Sequence, residues 1–399
     1  MAAKAIKVNV TKERIANALK TVNQGVQALC SLFPVNPRRL ILYSSPDFYD
    51  NAWAFYHYLE KNGYLEKYDV VWLVYHPERL DASAAHFIPL NQYRSILKRS
   101  YYIATASCVI YTHNCPVFHQ RKNQTLINTT HAASRLKSFK VGKYKKGTKW
   151  GDIILRCGQV GVDRYNQDIH LPLDRYQIIG MPRLDLLYEH EDCLDKVIDG
   201  YKGETVVISM ETFKQNKNYD DSTSDDCYAI NVVHTQEELV KLNRYLAEHS
   251  IILLVKIHHM QDLSFLDRVE LSNIRYLTDE ALTARGVQLY RLLECCHALL
   301  TDYSTIYFDY LLLDRPVGFM LADIEEYKRG FIIEDPTVEM PGEKLGNLEE
   351  LIAFLQHVID GEDPYSPQRI ALRNVVFKYQ DNLNCQRLMD LLLERKILR

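Results

Sequence analysis

Three groups of residues stand where side chains could do chemistry. The first lies in the stretch Leu299–Arg329. There the apolar run His297-Ala298-Leu299-Leu300-Thr301 is followed by Asp302-Tyr303-Ser304-Thr305, then by apolar residues at Ile306, Tyr307, Tyr310, Leu311 and Leu313, the spacing of a helix. Strand, polar turn and helix are expected in that order. Ser304 and Thr305 fall where the helix would begin, so their hydroxyls and the unpaired first-turn amides could together hold an anion, most naturally a phosphate or diphosphate. The second group is His131, just past the apolar segment "TLINTT". A side chain leaving the carboxyl end of a sheet commonly faces a ligand crevice, although a lone histidine there is more often structural. The third is Lys256-Ile257-His258-His259, which ends the apolar run "IILLVK" and reads alone as a ligand contact or as a solvated strand end.

Charge adds a fourth feature. Arg135, Lys137, Lys140, Lys143, Lys145, Lys146 and Lys149 follow one another with no acidic residue between them, and Phe139, Tyr144 and Trp150 are interleaved or adjacent. Such a run is either a solvated loop or a surface for an anionic polymer or lipid. Nucleic acid is disfavoured as a partner, because no nucleic-acid motif accompanies the run and the chain carries a net charge of −3. Asp302 and Asp309 lie seven residues apart with no third ligand in view, so no structural metal is expected. A weakly held divalent cation accompanying a diphosphate is compatible with the sequence. The nine cysteines show no Cys-x-x-Cys spacing, which reads as reduced thiols in a cytosolic protein.

These groups need a scaffold to position them. With 399 residues, 47% hydrophobic and 25% charged, the chain is long enough for two globular domains. Residues 1 to 36 have a helical pattern ending at Pro34 and Pro37, read as a helix packed on the first domain. Strands are expected at Arg39–Ser44, Val70–Tyr75, Cys108–Tyr111, Thr125–Thr129 and Tyr176–Ile179, with helices at Asp50–Leu59 and near Tyr93–Tyr101. After a boundary near Gly180 the alternation resumes. Strands are expected at Thr205–Ser209, Ile251–Lys256, Ala298–Thr301 and Pro316–Met320, with helices at Thr235–Glu248, Ala284–Cys296 and Ser304–Leu313, and two or three more in Pro364–Leu398. No run has the length of a membrane span, and Met1–Asn36 lacks a signal peptide's apolar core. A cytoplasmic location follows as the expectation, with any membrane contact peripheral.

Several spaced motifs carry a resemblance. Asp302, Tyr303, Ser304 and Thr305, then Phe308-Asp309, Arg315-Pro316, Asp323, Tyr327, Arg329, Gly330, Phe331 and Pro341-Gly342 together resemble the CDP-glycerol glycerophosphotransferase family of teichoic-acid and capsule polymer enzymes. Thr130–Lys137 stands where that family reads Trp-His-Gly-Thr-Pro-Leu-Lys; the histidine is kept while Trp, Gly and Pro are replaced and the lysine falls one residue later. Lys256–His259 is similar to Lys-Pro-His-Pro or Lys-x-His-Pro, with His259 in place of the last proline, Gly180–Asp185 to Gly-x-Pro-Arg-x-Asp, and Glu211–Lys214 to Pro-Thr-(Tyr/Phe)-Arg. Ser44, Asp50 and Asn51 also match, with capping an equal explanation for Asp50.

The resemblance implies a GT-B-like α/β fold: two Rossmann-like domains facing across a cleft, with an N-terminal helical segment (1–36), an acceptor-side domain (37–180) and a CDP-donor domain with terminal helices (181–399). It implies attack by an acceptor hydroxyl on the β-phosphorus of CDP-glycerol, or of CDP-ribitol, with release of CMP. An alcohol attacking phosphorus must lose its proton, and a neutral imidazole can take it; His131 is the implied base. His258, Ser304 and Thr305 would hold the diphosphate, with Asp302, Lys256, Thr212 and Arg329 as further donor-side residues. Arg329 follows Glu325-Glu326 and reads otherwise as a surface ion pair. Arg183 and Asp185 are expected to be structural. The basic run would face a saccharide or lipid-linked polymer acceptor or an anionic membrane. A glycosyltransferase using a nucleotide sugar and a non-catalytic polymer-binding subunit are the competing readings.

Overall fold

The computed structural model describes residues 19–79, 86–138, 149–212, 228–257, 269–322, 324–327 and 330–399. Two parallel sheets organise them. The first contains β1 (Asn36–Tyr43), β2 (Asp69–Val74), β3 (Phe87–Pro89), β4 (Ala106–Tyr111), β5 (Thr125–Asn128), β6 (Ile153–Arg156) and β7 (Tyr176–Ile178), in the order β3-β2-β1-β4-β5-β6-β7. The second contains β8 (Thr205–Met210), β9 (Ile251–Lys256), β10 (Ile274–Leu277), β11 (Ala298–Thr301), β12 (Val317–Met320) and β13 (Glu343–Leu345), in the order β10-β9-β8-β11-β12-β13. Each order runs outward in both directions from a central pair, β1/β4 in one sheet and β8/β11 in the other. That is the doubly wound, Rossmann-like arrangement, and it places a ligand crevice at the carboxyl ends of the central strands.

Burial on both faces explains the apolar strands. Leu40 and Leu42 of β1 pack into one core while Ile41 and Tyr43 pack into another, so alternate residues serve opposite faces. Val206 and Ile208 of β8 join the same large core as Leu40, whereas Val207 faces the outer core of the second sheet. The largest apolar cluster therefore runs through both halves. The chain's end reinforces this. Lys378 N–H donates to Cys157 O at 2.9 Å, and Arg399 N–H to Pro37 O at 3.1 Å, so the last helices, Ser366–Val376 and Asn384–Glu394, lie against the first half. A Cβ on Gly158 would stand 2.2 Å from Val376 O, so only glycine allows that approach.

The expected strands are all present, each within one or two residues except β1, which begins three residues earlier than expected. The strands that composition did not reveal, β3, β6, β10 and β13, have four residues or fewer. The expected helix Ala284–Cys296 is instead two, Asp279–Ala284 and Leu289–Cys295, separated at Gly286, whose φ of +68° ends the first. The expected helix Ser304–Leu313 begins at Ile306, is α-helical to Tyr310, and finishes as a 3₁₀ turn through Leu313 before Asp314 at φ 47°. Of residues 1 to 36, the described part is helical over 19–30.

Candidate active site

His131 is presented by a turn that the sequence builds from polar side chains. Where β5 ends, the Asn128 Oδ1 accepts the Thr130 N–H at 2.8 Å, and Thr130 takes a positive φ of 55°. The Thr130 hydroxyl donates to Leu155 O at 3.3 Å and accepts from the Arg156 guanidinium at 3.2 Å. The chain then passes so close to the helix Gln159–Ile169 that a Cβ on Gly161 would meet Ala133 O at 2.5 Å. Ala132 to Leu136 are buried, but the His131 ring is exposed. It stacks on the ring of His113, centroids 5.3 Å apart and 23° from parallel. His113 follows β4, the strand beside β5, so adjacent strand ends bring the two rings together.

The electrostatics favour the neutral imidazole. The surrounding protein pushes the His131 pKa down, first by desolvation, then through the positive charges of His113, Arg183, Arg156 and Lys137. His131 is nonetheless exposed to solvent beyond the end of β5, which moderates the desolvation without reversing the direction. His113 is lowered as well, by burial against the opposing pull of Asp50. A neutral ring nitrogen exposed to a cleft can accept a proton.

A buried bracket fixes this turn to the second half. Arg183 donates to the His131 carbonyl at 2.6 Å, to Asp50 at 2.7 Å and to Asp309 at 2.7 Å. Asp309, on the helix Ile306–Tyr310, also accepts the Ala133 N–H at 3.2 Å and the Tyr290 hydroxyl at 2.5 Å. Asn51 completes it, accepting from Arg183 N–H at 3.2 Å and donating to Thr130 O at 3.0 Å. Burial disfavours the charge of Arg183, but Asp50, Tyr290 and Asp309 more than offset it, so the pKa is raised and the guanidinium stays charged. Asp185 lies beyond the bracket. It accepts the N–H groups of Asn384 at 2.9 Å and Cys385 at 2.8 Å, capping the last helix rather than pairing with Arg183.

In the second sheet the carboxyl ends of the adjacent strands β8 and β11 carry a second polar group. Asp302 is fully buried. Its Oδ2 accepts the Thr212 N–H at 3.0 Å, and its Oδ1 accepts the Thr212 hydroxyl at 3.0 Å and the Ser304 N–H at 2.7 Å. Lys137, six residues past His131, donates to the Thr212 hydroxyl at 2.9 Å. A single chain of polar contacts thus joins Lys137, Thr212, Asp302 and Ser304. Ser304 and Thr305 are half-buried ahead of the helix, and the Thr305 side chain does not cap it. Backbone pairing holds the two sides together: Lys137 bridges Phe331, Ser138 N–H donates to Gly330 O at 3.0 Å, and Ile332 N–H to Leu136 O at 2.8 Å.

Two expected site residues are committed elsewhere. Arg135 is 3% exposed, pairs with Asp168 at 2.6 Å and stacks near Tyr165, so it anchors the turn to the helix Gln159–Ile169 and is not a surface charge for an acceptor or membrane. Lys256, at the end of β9, pairs with Asp279 at 3.0 Å. His258, Arg329, Lys140, Lys143, Lys145 and Lys146 lie outside the described residues. Among the described residues, no three His, Cys, Asp or Glu side chains are grouped to hold a metal ion. Reading the sequence missed His113 and the joint role of Asp50, Arg183 and Asp309. The signal for His113 was available: it follows the wholly apolar end of β4 just as His131 follows β5.

A family description, "CDP-Glycerol:Poly(glycerophosphate) glycerophosphotransferase", matches residues 27–394. Relatives include the teichoic acid poly(glycerol phosphate) polymerases of Bacillus spizizenii, 24% identical and covering 81% of this chain and 84% of the relative, and of Staphylococcus epidermidis, 22% identical and covering 82% and 47%. The chain therefore spans about half the length of the staphylococcal relative. In structure it is similar to the wall teichoic acid polymerase TagF, solved among other forms after a CDPG soak, with a TM-score of 0.74 at 18% identity over 98% of each chain. It is more distantly similar to the UDP-GlcNAc 2-epimerase of Methanocaldococcus jannaschii, with a TM-score of 0.52 at 10% identity over 89% of this chain and 99% of that one. These structural likenesses concern the fold.

Proposed function

The chain belongs to the CDP-glycerol:poly(glycerophosphate) glycerophosphotransferase family, and on that premise we propose that it transfers glycerol phosphate from CDP-glycerol to a hydroxyl of a teichoic-acid-like polymer or its lipid-linked primer. The observation that carries this reading is that the turn holding the solvent-exposed, neutral-favoured His131 is tied to the second half's strand ends, through Lys137 to Thr212 and on to Asp302 and Ser304, and through the Ala133 N–H to Asp309. In the proposed step the acceptor oxygen attacks the β-phosphorus, its proton passes to a ring nitrogen of His131, and the bond to the α-phosphate oxygen breaks to release CMP. Lys137, already directed at Thr212, and the Ser304–Thr305 turn supply positive charge and donors to the diphosphate as charge shifts toward the leaving group. His258 and Arg329 take diphosphate-side roles on the strength of the family match. Asp302 organises these donors by accepting from Thr212 and Ser304.

Residues 37–180 form the acceptor side in this reading and 181–399 the donor side, except that the helices Ser366–Val376 and Asn384–Glu394 return to pack on the first half. CDP-ribitol is the alternative donor, since a ribitol-phosphate primase of Bacillus spizizenii is also a relative, 25% identical over 227 residues. No described helix is long and apolar enough to cross a membrane. Exposed Leu19, Val22, Leu29, Leu32 and Phe33 support a peripheral contact with the inner face of the cell membrane. Release of CMP from each CDP-alditol, with and without acceptor, tests the activity and identifies the polyol. Turnover with a nucleotide sugar alone would replace this reading with a glycosyltransferase.

A further inference from the structure

We infer that the first half carries a subsite for a phosphate of the acceptor chain, centred on Arg99; the inference rests on the transferase reading above. A cavity of about 230 Å³ is lined by Tyr43, Tyr75, Arg99, Asn114, Cys115 and Phe118 among others. Tyr43 ends β1, Tyr75 follows β2 and Asn114 lies three residues past β4. The cavity therefore occupies the carboxyl edge where the strand order reverses, the place at which doubly wound sheets bind ligands. The equivalent reversal in the second sheet, β8/β11, holds Thr212 and Asp302. Asn114 of its lining directly follows His113, whose ring stacks on that of His131.

The charge in this cavity calls for an anion. Arg99 is 9% exposed, and its guanidinium donates to Leu90 O and, at 2.7 Å, to Asn23 Oδ1, both neutral acceptors. Among the described residues no carboxylate pairs with it. Burial lowers its pKa, opposed by the Tyr75 phenol and by no carboxylate. A buried guanidinium left with neutral partners carries a charge that a phosphate would neutralise, and its planar donor fork suits phosphate oxygens. A second cation approaches the same wall. Lys149, the last lysine of the basic run, donates to Phe118 O at 3.4 Å, and the Tyr111 hydroxyl donates to Lys149 O at 3.0 Å. Two acids of this region are turned to other donors: Asp47 accepts the Tyr75 and His76 N–H groups, and Asp152 accepts from Leu126 N–H and Gln120. The cavity then offers a guanidinium, an amide and two phenols, with a second cation held against the Phe118 carbonyl of its wall, which is chemistry for a phosphodiester bearing a hydroxylated chain.

The test measures binding of a soluble glycerol phosphate oligomer by calorimetry to the full chain, beside an uncharged polyol and phosphatidylglycerol vesicles. Arg99→Gln and Asn114→Leu are the variants; Asn114 is exposed, so its substitution keeps the test sound should Arg99→Gln fold poorly. Each variant is expected to raise the oligomer Kd and acceptor KM about tenfold or more, the scale of one lost charge-assisted hydrogen bond, with the donor KM moving much less. Oligomer affinity the same in both variants as in wild type overturns the inference, as does wild-type binding to vesicles but not to oligomer. The two readings fail differently. If only this inference is wrong, the wild type still releases CMP with acceptor and the variants leave acceptor KM alone. If the transferase reading is wrong, no CMP appears with any acceptor, whatever the oligomer binding.

Discussion

Asp309→Asn isolates the bracket that ties the His131 turn to the second half. Asp309 is 1% exposed and accepts from three donors, the Ala133 N–H, the Arg183 guanidinium and the Tyr290 hydroxyl. Asparagine has the same shape but no charge, and its NH₂ would have to face a donor on at least one side. Removing one partner of a buried ion pair costs about 3–5 kcal/mol; Arg183 keeps Asp50 at 2.7 Å, so the lower end applies. At ~2–4 °C per kcal/mol for a domain of this size, a cost of about 3 kcal/mol lowers Tm by roughly 6–12 °C. The same change sets the NH₂ against either the Ala133 N–H, two residues from the base, or the Arg183 and Tyr290 donors, and either way loosens the hold on the His131 turn. Misplacing a reacting group by an ångström costs up to about a hundredfold in rate, so kcat should fall by about ten- to a hundredfold with donor KM little altered. Thermal unfolding followed by circular dichroism and CMP release at saturating CDP-glycerol read the two effects. A variant with wild-type Tm and wild-type kcat would refute the bracket's positioning role.

Three further outcomes follow from the geometry. Because His131 is held below the ordinary imidazole range, its active neutral form persists to lower pH, and the acid limb of kcat/KM should lie below the usual midpoint near 6.5; Lys137→Met removes one of the cations that lower it, so the limb should move to higher pH in a pH–rate series. Gly161→Ala places a methyl 2.5 Å from Ala133 O, so overpacking of about 1–3 kcal/mol should appear as a lower Tm together with lost turnover. Asp185→Ala removes the acceptor for the first N–H groups of the last helix, costing about 1–2 kcal/mol in chemical unfolding, with donor KM unaffected because Asp185 faces Asn384 and Cys385 and not the crevice.

What could be read in the sequence, and what could not, divides along physical lines. The apolar strands β1, β5, β9 and β11 announced themselves because both of their faces are buried, and residues such as Asp302 and His131 gained meaning from standing at their ends. Strands of three or four residues, such as β3 and β13, leave too short a pattern to distinguish from loop. The split at Gly286 was visible as a glycine but not as a left-handed turn. Arg135 was grouped with its basic neighbours because sequence shows charge and not direction; its partner Asp168 is 33 residues away. The bracket was beyond reach for the same reason. Asp50, Arg183 and Asp309 are separated by more than a hundred residues at each step, and only the packing of the two halves brings them within 2.7 Å.

The most direct test of the central claim is acceptor-dependent release of CMP from CDP-glycerol by the wild type and by His131→Ala, each shown to be folded. The account predicts release that requires acceptor and falls by about 10²–10⁴-fold in the variant, the range for loss of a general base. Equal release by the two proteins would contradict His131 as the base, and no release by the wild type with any CDP-alditol across glycerol phosphate, saccharide and lipid-linked acceptors would contradict the transferase itself.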